Sequence, residues 1–178
     1  MLKKIIYTVV VIVIAVIALV VGLEVFSSYP NDAIVYNTNA PVKAIKTITI
    51  HADPEKVWGI LSDVNKWESW ESDIKNPVLH GDFTVGNSFT WKTKGLSIRS
   101  NIKVANKFTE IAWSGPSIGV FAIHTWTFTP IPGGYTKVDI RESMQGWLAE
   151  LITKKMREGL DVSLDKWLLE LKTEAEKK

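Results

Sequence analysis

The chain has 178 residues, 46% of them hydrophobic, and a formal net charge of +2 drawn from interspersed lysines and acids. That leaves room for one globular domain and an appendage, with too much apolar content for disorder and no basic block of the kind nucleic acids attract. No cysteine occurs, which excludes disulfides, thiolate nucleophiles and iron–sulfur clusters; the eight tryptophans fit either dense packing or an aromatic-lined cavity.

Met1 to Lys4 is a short basic head, and Ile5 to Leu23 follows as about nineteen uncharged residues rich in valine and isoleucine, enough to span a bilayer core. Gly22-Leu23-Glu24-Val25-Phe26 lacks a convincing small-x-small cleavage pattern, so an uncleaved anchor is favoured over the competing signal peptide. Lys3 and Lys4 precede the span, and only Glu24 and Asp32 lie between it and Lys43. This asymmetry predicts a cytoplasmic N-terminus and a C-terminal domain outside the cell membrane. Ser27 to Pro41 is turn-rich, with one apolar patch at Ile34 to Tyr36, and reads as a tether that partly packs. The chain thus divides into an anchor over 1–26, a linker over 27–42 and a domain over 43–178.

Within the domain, Ala44 to Ile50 alternates as a first strand. Asp53 is placed to cap a helix, Pro54 suits its first position and Glu55 its positive end, so a short helix runs to Leu61. A second short helix, Lys66 to Ser72, carries Trp67 and Trp70. Six strands follow: Val78 to His80, Ser88 to Thr93, Ser97 to Ala105, Glu110 to Ser114, Val120 to Thr129 and Tyr135 to Met144. Gly81-Asp82, Gly86-Asn87, Lys94-Gly95, Ser114-Gly115-Pro116 and Pro132-Gly133-Gly134 punctuate them. Gly146 to Glu176 then reads as a single helix of roughly thirty residues, about 45 Å long. Its apolar positions, from Leu148, Leu151, Ile152 and Met156 through Leu160 and Leu164 to Trp167, Leu168 and Leu171, fall on one face. Such a face needs a broad apolar surface, and the preceding strands supply one.

The segment His51-Ala52-Asp53-Pro54-Glu55-Lys56-Val57-Trp58-Gly59-Ile60-Leu61-Ser62-Asp63, followed by Lys66-Trp67-Glu68-Ser69-Trp70, resembles the opening of the START-like (SRPBCC) superfamily in its polyketide cyclase/dehydrase branch. Gly159-Leu160-Asp161-Val162-Ser163-Leu164, running on to Leu171-Lys172, is similar to that family's last helix. The resemblance covers about residues 43 to 175. It implies an α+β helix-grip fold, a curved antiparallel sheet wrapped around the long C-terminal helix with a cavity between them, here preceded by one transmembrane helix. For function it is broad, since the family holds cyclases, dehydratases, lipid carriers and hormone receptors.

In the hairpin from Val120 to Met144, His124, Trp126 and Phe128 share one face of their strand, and Val138, Ile140, Glu142 and Met144 share one face of theirs. A turn centred near Pro132-Gly133 sets Phe128 against Val138, Trp126 against Ile140 and His124 against Glu142. A carboxylate buried beside an imidazole must hydrogen-bond to it, and the two then form a candidate general acid and base. The alternative is a satisfied structural pair, and a one-residue slip would carry Glu142 to the other face.

Phe89 with Trp91, and Trp113 with Ile111, alternate as inward residues of the core or pocket. Trp58 reads as core, and Arg99 as a solvated charge. Trp67 and Trp70 are expected near the cavity mouth in this fold, where plain packing is favoured over gating or contact with lipid. The candidate ligand-binding set is Phe89, Trp91, Trp113, Trp126, Phe128, Ile140, Met144, Met156, Gly159 and Leu160. The three histidines lack metal-ligand spacing and no nucleophile elbow occurs, so no metal and no cofactor are expected. Three functions remain open: a membrane-anchored domain holding a hydrophobic small molecule (a lipid, isoprenoid or aromatic metabolite), a cyclase or dehydratase using His124 and Glu142, and a domain that docks a protein through its helix or the Trp67/Trp70 corner.

Overall fold

Seven antiparallel strands form one sheet in the order β1-β7-β6-β5-β4-β3-β2. In the computed structural model, which describes residues 1–29 and 36–177, these are β1 (Val42–Ile50), β2 (Ile74–His80), β3 (Ser88–Thr93), β4 (Leu96–Asn106), β5 (Glu110–Ser117), β6 (Val120–Ile131) and β7 (Tyr135–Gln145). Helix α1 (Leu2–Val25) precedes them. Helix α2 (Pro54–Ser62) and a 3₁₀ helix (Val64–Ser69) interrupt them, and α3 (Trp147–Leu151) and α4 (Thr153–Ala175) follow. The fold is the α+β helix-grip arrangement, with α4 laid along the sheet and clipped to edge strand β1. Lys46 pairs with Asp161 at 3.2 Å and Asp165 at 3.1 Å, while the Lys172 ammonium donates to the Thr49 carbonyl at 2.7 Å.

The predicted strands all appear, because alternation and glycine turns act locally. Lys94 and Gly95 both take positive φ, 48° and 81°, the tight-hairpin geometry that joins β3 to β4. One turn falls elsewhere: β5 runs through Ser114-Gly115-Pro116 to Ser117, and the chain reverses at Ile118-Gly119, where Gly119 has φ 72°. Gly115 instead permits a close strand approach. A Cβ there would lie 2.2 Å from the Arg99 carbonyl oxygen, which is backbone and cannot swing aside. Gly115→Ala is therefore expected to lower stability by about 1–3 kcal/mol in urea unfolding, as overpacking does.

The C-terminal helix is two helices rather than one. At Ile152 the backbone leaves helical geometry (φ −124°, ψ 38°), and across the break the Thr153 hydroxyl donates to the Ala149 carbonyl at 2.7 Å and the Glu150 carbonyl at 3.0 Å. The apolar spacing runs unbroken through the bend and conceals it. Leu160, Leu164, Trp167, Leu168 and Leu171 are buried, whereas Leu151 is 72% exposed.

Among the described residues α1 alone is long and apolar enough to cross a membrane, and it lies near the N-terminus, as an anchor or a signal sequence would. Its end is tied to the domain. Glu24 Oε2 accepts from the Gly119 backbone N–H at 2.8 Å and the Trp147 indole N–H at 3.2 Å, and the Tyr29 hydroxyl donates to the same carboxylate at 3.0 Å. Further along, Asn37 binds Ser143 through its backbone N–H at 3.0 Å, and Ala40 is buried. In the Ile34 to Tyr36 patch, Ile34 and Val35 lie outside the described residues.

Candidate ligand cavity and its buried acid-base pair

The strand tips at 94–95 and 118–119, the α3–α4 corner and the end of α1 gather at one end of the sheet; the tips at 81–87, 107–109 and 132–134 lie at the other. At the first end, between sheet and α4, lies a cavity of about 360 Å³. Trp91, Ser100, Ala122 and Met144 line it from the strands, and Met156, Gly159, Leu160 and Trp167 from α4. Lys94, Leu96, Ile118, Ile152 and Lys155 line its exposed rim.

The other half of the grip is solid. Trp67, fully buried, sits at the centre of an aromatic cluster, with ring centroids 5.1 Å from Phe89, 5.5 Å from Trp113 and 5.2 Å from Trp167. Of the proposed ligand-binding residues, Trp91, Met144, Met156, Gly159 and Leu160 line the cavity. Phe89, Trp113, Trp126, Phe128 and Ile140 are packed into the core outside its lining. Alternation identifies the inward face of a strand but not how far along that face the cavity extends.

Trp67 and Trp70 serve packing, as favoured, but away from the mouth: Trp67 is core, and half-buried Trp70 packs edge-on against Trp167 at 5.7 Å, neither lining the cavity. Their helical spacing put them on one short element, but the element turns inward and plugs the grip.

His124 and Glu142 are cross-strand partners, with Nδ1 and Oε2 3.1 Å apart and both side chains on the cavity wall. Their side chains are only 11% and 3% exposed, and the imidazole stacks on Trp113 with centroids 5.1 Å apart. Burial pushes the Glu142 carboxyl up to about 8, the Lys94 ammonium at the rim opposing this, and burial holds the His124 imidazolium down to about 3. In the neutral pair the Glu142 hydroxyl donates to Nδ1, leaving the ring proton on Nε2. A donor and an acceptor thus stand side by side on a largely apolar wall, able to hold a ligand hydroxyl or carbonyl or to pass it a proton. Among the described residues no three His, Asp or Glu side chains converge as a metal set.

A third titratable group is buried away from the cavity. Glu71 is 1% exposed; burial, and then the Glu170 and Asp73 carboxylates, push it up to about 7 against the pull of Lys166. The folded carboxyl holds its proton above its ordinary 4.5, so this stabilisation is complete below that value and is lost as pH rises through about 7. Glu71→Gln, which can keep the bond Glu71 accepts from the Asp73 N–H, is expected to match wild type at pH 5 and exceed it at pH 8 in thermal unfolding.

Comparison with known proteins places this geometry. The family model described as polyketide cyclase/dehydrase and lipid transport matches residues 41–176. The chain belongs to this family. Solved structures agree on the fold: a hypothetical protein from Helicobacter pylori (17% identity, 84% of this chain and 99% of that one, TM-score 0.70) and a START superfamily protein from Mycobacterium smegmatis (13%, 75% and 97%, TM-score 0.66). The Zhui aromatase/cyclase from Streptomyces sp. R1128 is similar too, at 15% identity over 75% of this chain and 93% of that one, with a TM-score of 0.64. No curated protein matches the chain. The lining residues outside the candidate set include Ser100, Ala122 and Trp167 within the cavity and Lys94 and Ile118 at its rim. Ile118 and Lys94 sit in turns, where an apolar or basic residue carries no periodic signal; an isoleucine directly before a turn glycine was the available clue.

Proposed function

We propose that the chain is a membrane-anchored binding domain whose cavity holds a hydrophobic small molecule of the lipid, isoprenoid or aromatic type. What carries this reading is the cavity of about 360 Å³ between sheet and α4, walled by tryptophan, methionine and leucine and containing one buried hydrogen-bonding pair. That is the make-up of a small-molecule site, in which apolar walls give affinity and a few polar groups fix orientation. The family's lipid transport members and the apolar α1 support an apolar ligand taken close to a membrane. In this account residues 1–26 anchor, 27–42 connect and 43–178 bind, with the N-terminus cytoplasmic and the domain on the outer side.

The second reading is an enzyme of the cyclase or dehydratase type, favoured by the 3.1 Å contact between a proton donor and acceptor on the cavity wall. Native mass spectrometry of the full chain purified in mild detergent tests both. A carrier retains one apolar compound and returns it unchanged after incubation; an enzyme converts it, and His124→Ala or Glu142→Gln abolishes the conversion. A chain that retains nothing, and binds no added long-chain alcohol or polycyclic aromatic, is neither.

A further inference from the structure

The exposed end of the cavity gathers several apolar side chains. Ile118 is 57% exposed, Leu96 46% and Ile152 38% on its lining, with Leu151 at 72% next to Ile152; Lys94 and Lys155 line the same mouth, and exposed Glu150 precedes Leu151. Exposed apolar side chains gathered at one mouth are unfavourable in water. Tyr29 and Trp147, rings with one polar end, stand beside them, so the patch combines an apolar centre, amphipathic aromatics and lysines, the make-up of surfaces that sit among lipid headgroups.

The end of α1 fixes the height of this patch. Glu24 is the first charged residue after the apolar run, and its carboxylate is held by the Gly119 N–H and the Trp147 indole. Gly119, and Ile118 before it, therefore lie within one glutamate side chain of the point where the apolar run stops. Of the opposite tips, Phe108 lies beside Phe128, about 27 Å beyond Val120 along β6, and Val85 lies near the level of His124, about 15 Å beyond it.

We infer that the rim formed by the 94–95 and 118–119 tips and the α3–α4 corner docks onto the bilayer that α1 enters, so that the cavity mouth opens among the headgroups and an apolar ligand passes between lipid and cavity without crossing water. The inference rests on the proposal that α1 is an anchor. Lysines on the rim fit an anionic surface.

The chain has no cysteine, so single spin labels are unambiguous. Full-length Ile118→Cys, Leu151→Cys, Val85→Cys and, within α1, Val13→Cys are labelled in vesicles of phosphatidylcholine and phosphatidylglycerol. Collision with oxygen, which concentrates in lipid, is compared with collision with a water-soluble nickel chelate. The expected result is oxygen-dominated collision at 118, 151 and 13 and nickel-dominated collision at 85. Adding Glu24→Ala should raise nickel collision at 118 and 151 severalfold and leave 13 unchanged. Nickel-dominated collision at 118 and 151 with 13 still in lipid overturns the docked rim alone. Nickel-dominated collision at 13 overturns the anchor and the rim together, and rim labels indifferent to Glu24→Ala overturn the role of Glu24. None of these readouts requires a ligand, so failure to detect one counts only against the proposed binding function.

Discussion

Gly159→Leu is expected to weaken retention of an apolar ligand at least tenfold while leaving the unfolding midpoint at or slightly above that of wild type. Gly159 lies on the cavity-facing side of α4, and a Cβ built there meets nothing within 4 Å. A leucine at this position would project into the space the ligand needs, not into another side chain. Tenfold corresponds to about 1.4 kcal/mol, well within what the loss of apolar contact area delivers. A glycine inside a helix costs about 1 kcal/mol relative to alanine, so replacing it should not destabilise the fold. The two quantities are read separately, occupancy by native mass spectrometry and stability by thermal unfolding. A variant that loses stability but retains ligand would show that Gly159 serves packing, and that the space beside it is not where the ligand sits.

The buried pair is expected to impose a two-sided pH dependence on stability that vanishes when both members become leucine. Glu142 titrates at about 8 in the folded chain against an ordinary 4.5, and His124 at about 3 against 6.5. Between pH 4.5 and 6.5 the unfolded chain carries one proton on these two residues, on histidine, and the folded pair also carries one, so the pair gives no slope. Above 6.5 the unfolded residues carry none while the folded pair keeps one, and stability falls by about 1.4 kcal/mol per pH unit up to about 8. Below 4.5 the unfolded residues carry two and the folded pair still one, so stability falls again towards about 3. This count does not depend on which partner holds the shared proton. Unfolding free energies at pH 5.5 and pH 8 in wild type and in His124→Leu/Glu142→Leu isolate the effect, since Glu71 contributes to both proteins alike. The stability of wild type relative to the double variant should fall by about 1.5 kcal/mol between the two pH values. Equal pH dependence would mean that the pair is not buried as a single-proton unit.

Much of this was legible because the signals were local. The hairpin alternation put His124 opposite Glu142, Trp126 opposite Ile140 and Phe128 opposite Val138, and that register is the one found. The opening motif from His51 and the closing motif around Gly159 led to the family and its fold. Tertiary facts were not legible. The bend at Ile152 is a change in backbone geometry at a single residue, which the unbroken apolar spacing of Leu148, Leu151, Ile152 and Met156 does not reveal. The partition between cavity and solid core is tertiary: Trp126, on the correct face, is packed against Trp113 and Trp167, and Phe128 is buried, while Met144 lines open space. The rim escaped notice because Lys94 and Ile118 lie in turns and belong to no period.

The central claim is that an apolar molecule occupies the space between the β6–β7 wall and α4. Photo-crosslinking with a long-chain alcohol bearing a diazirine tests it most directly, with the labelled peptides mapped on the full chain in vesicles. Covalent adducts on Ala122, Met144, Met156 and Leu160, diminished in Gly159→Leu, are the predicted result. Adducts confined to α1 and the outer surface, with those four residues unlabelled, would contradict it.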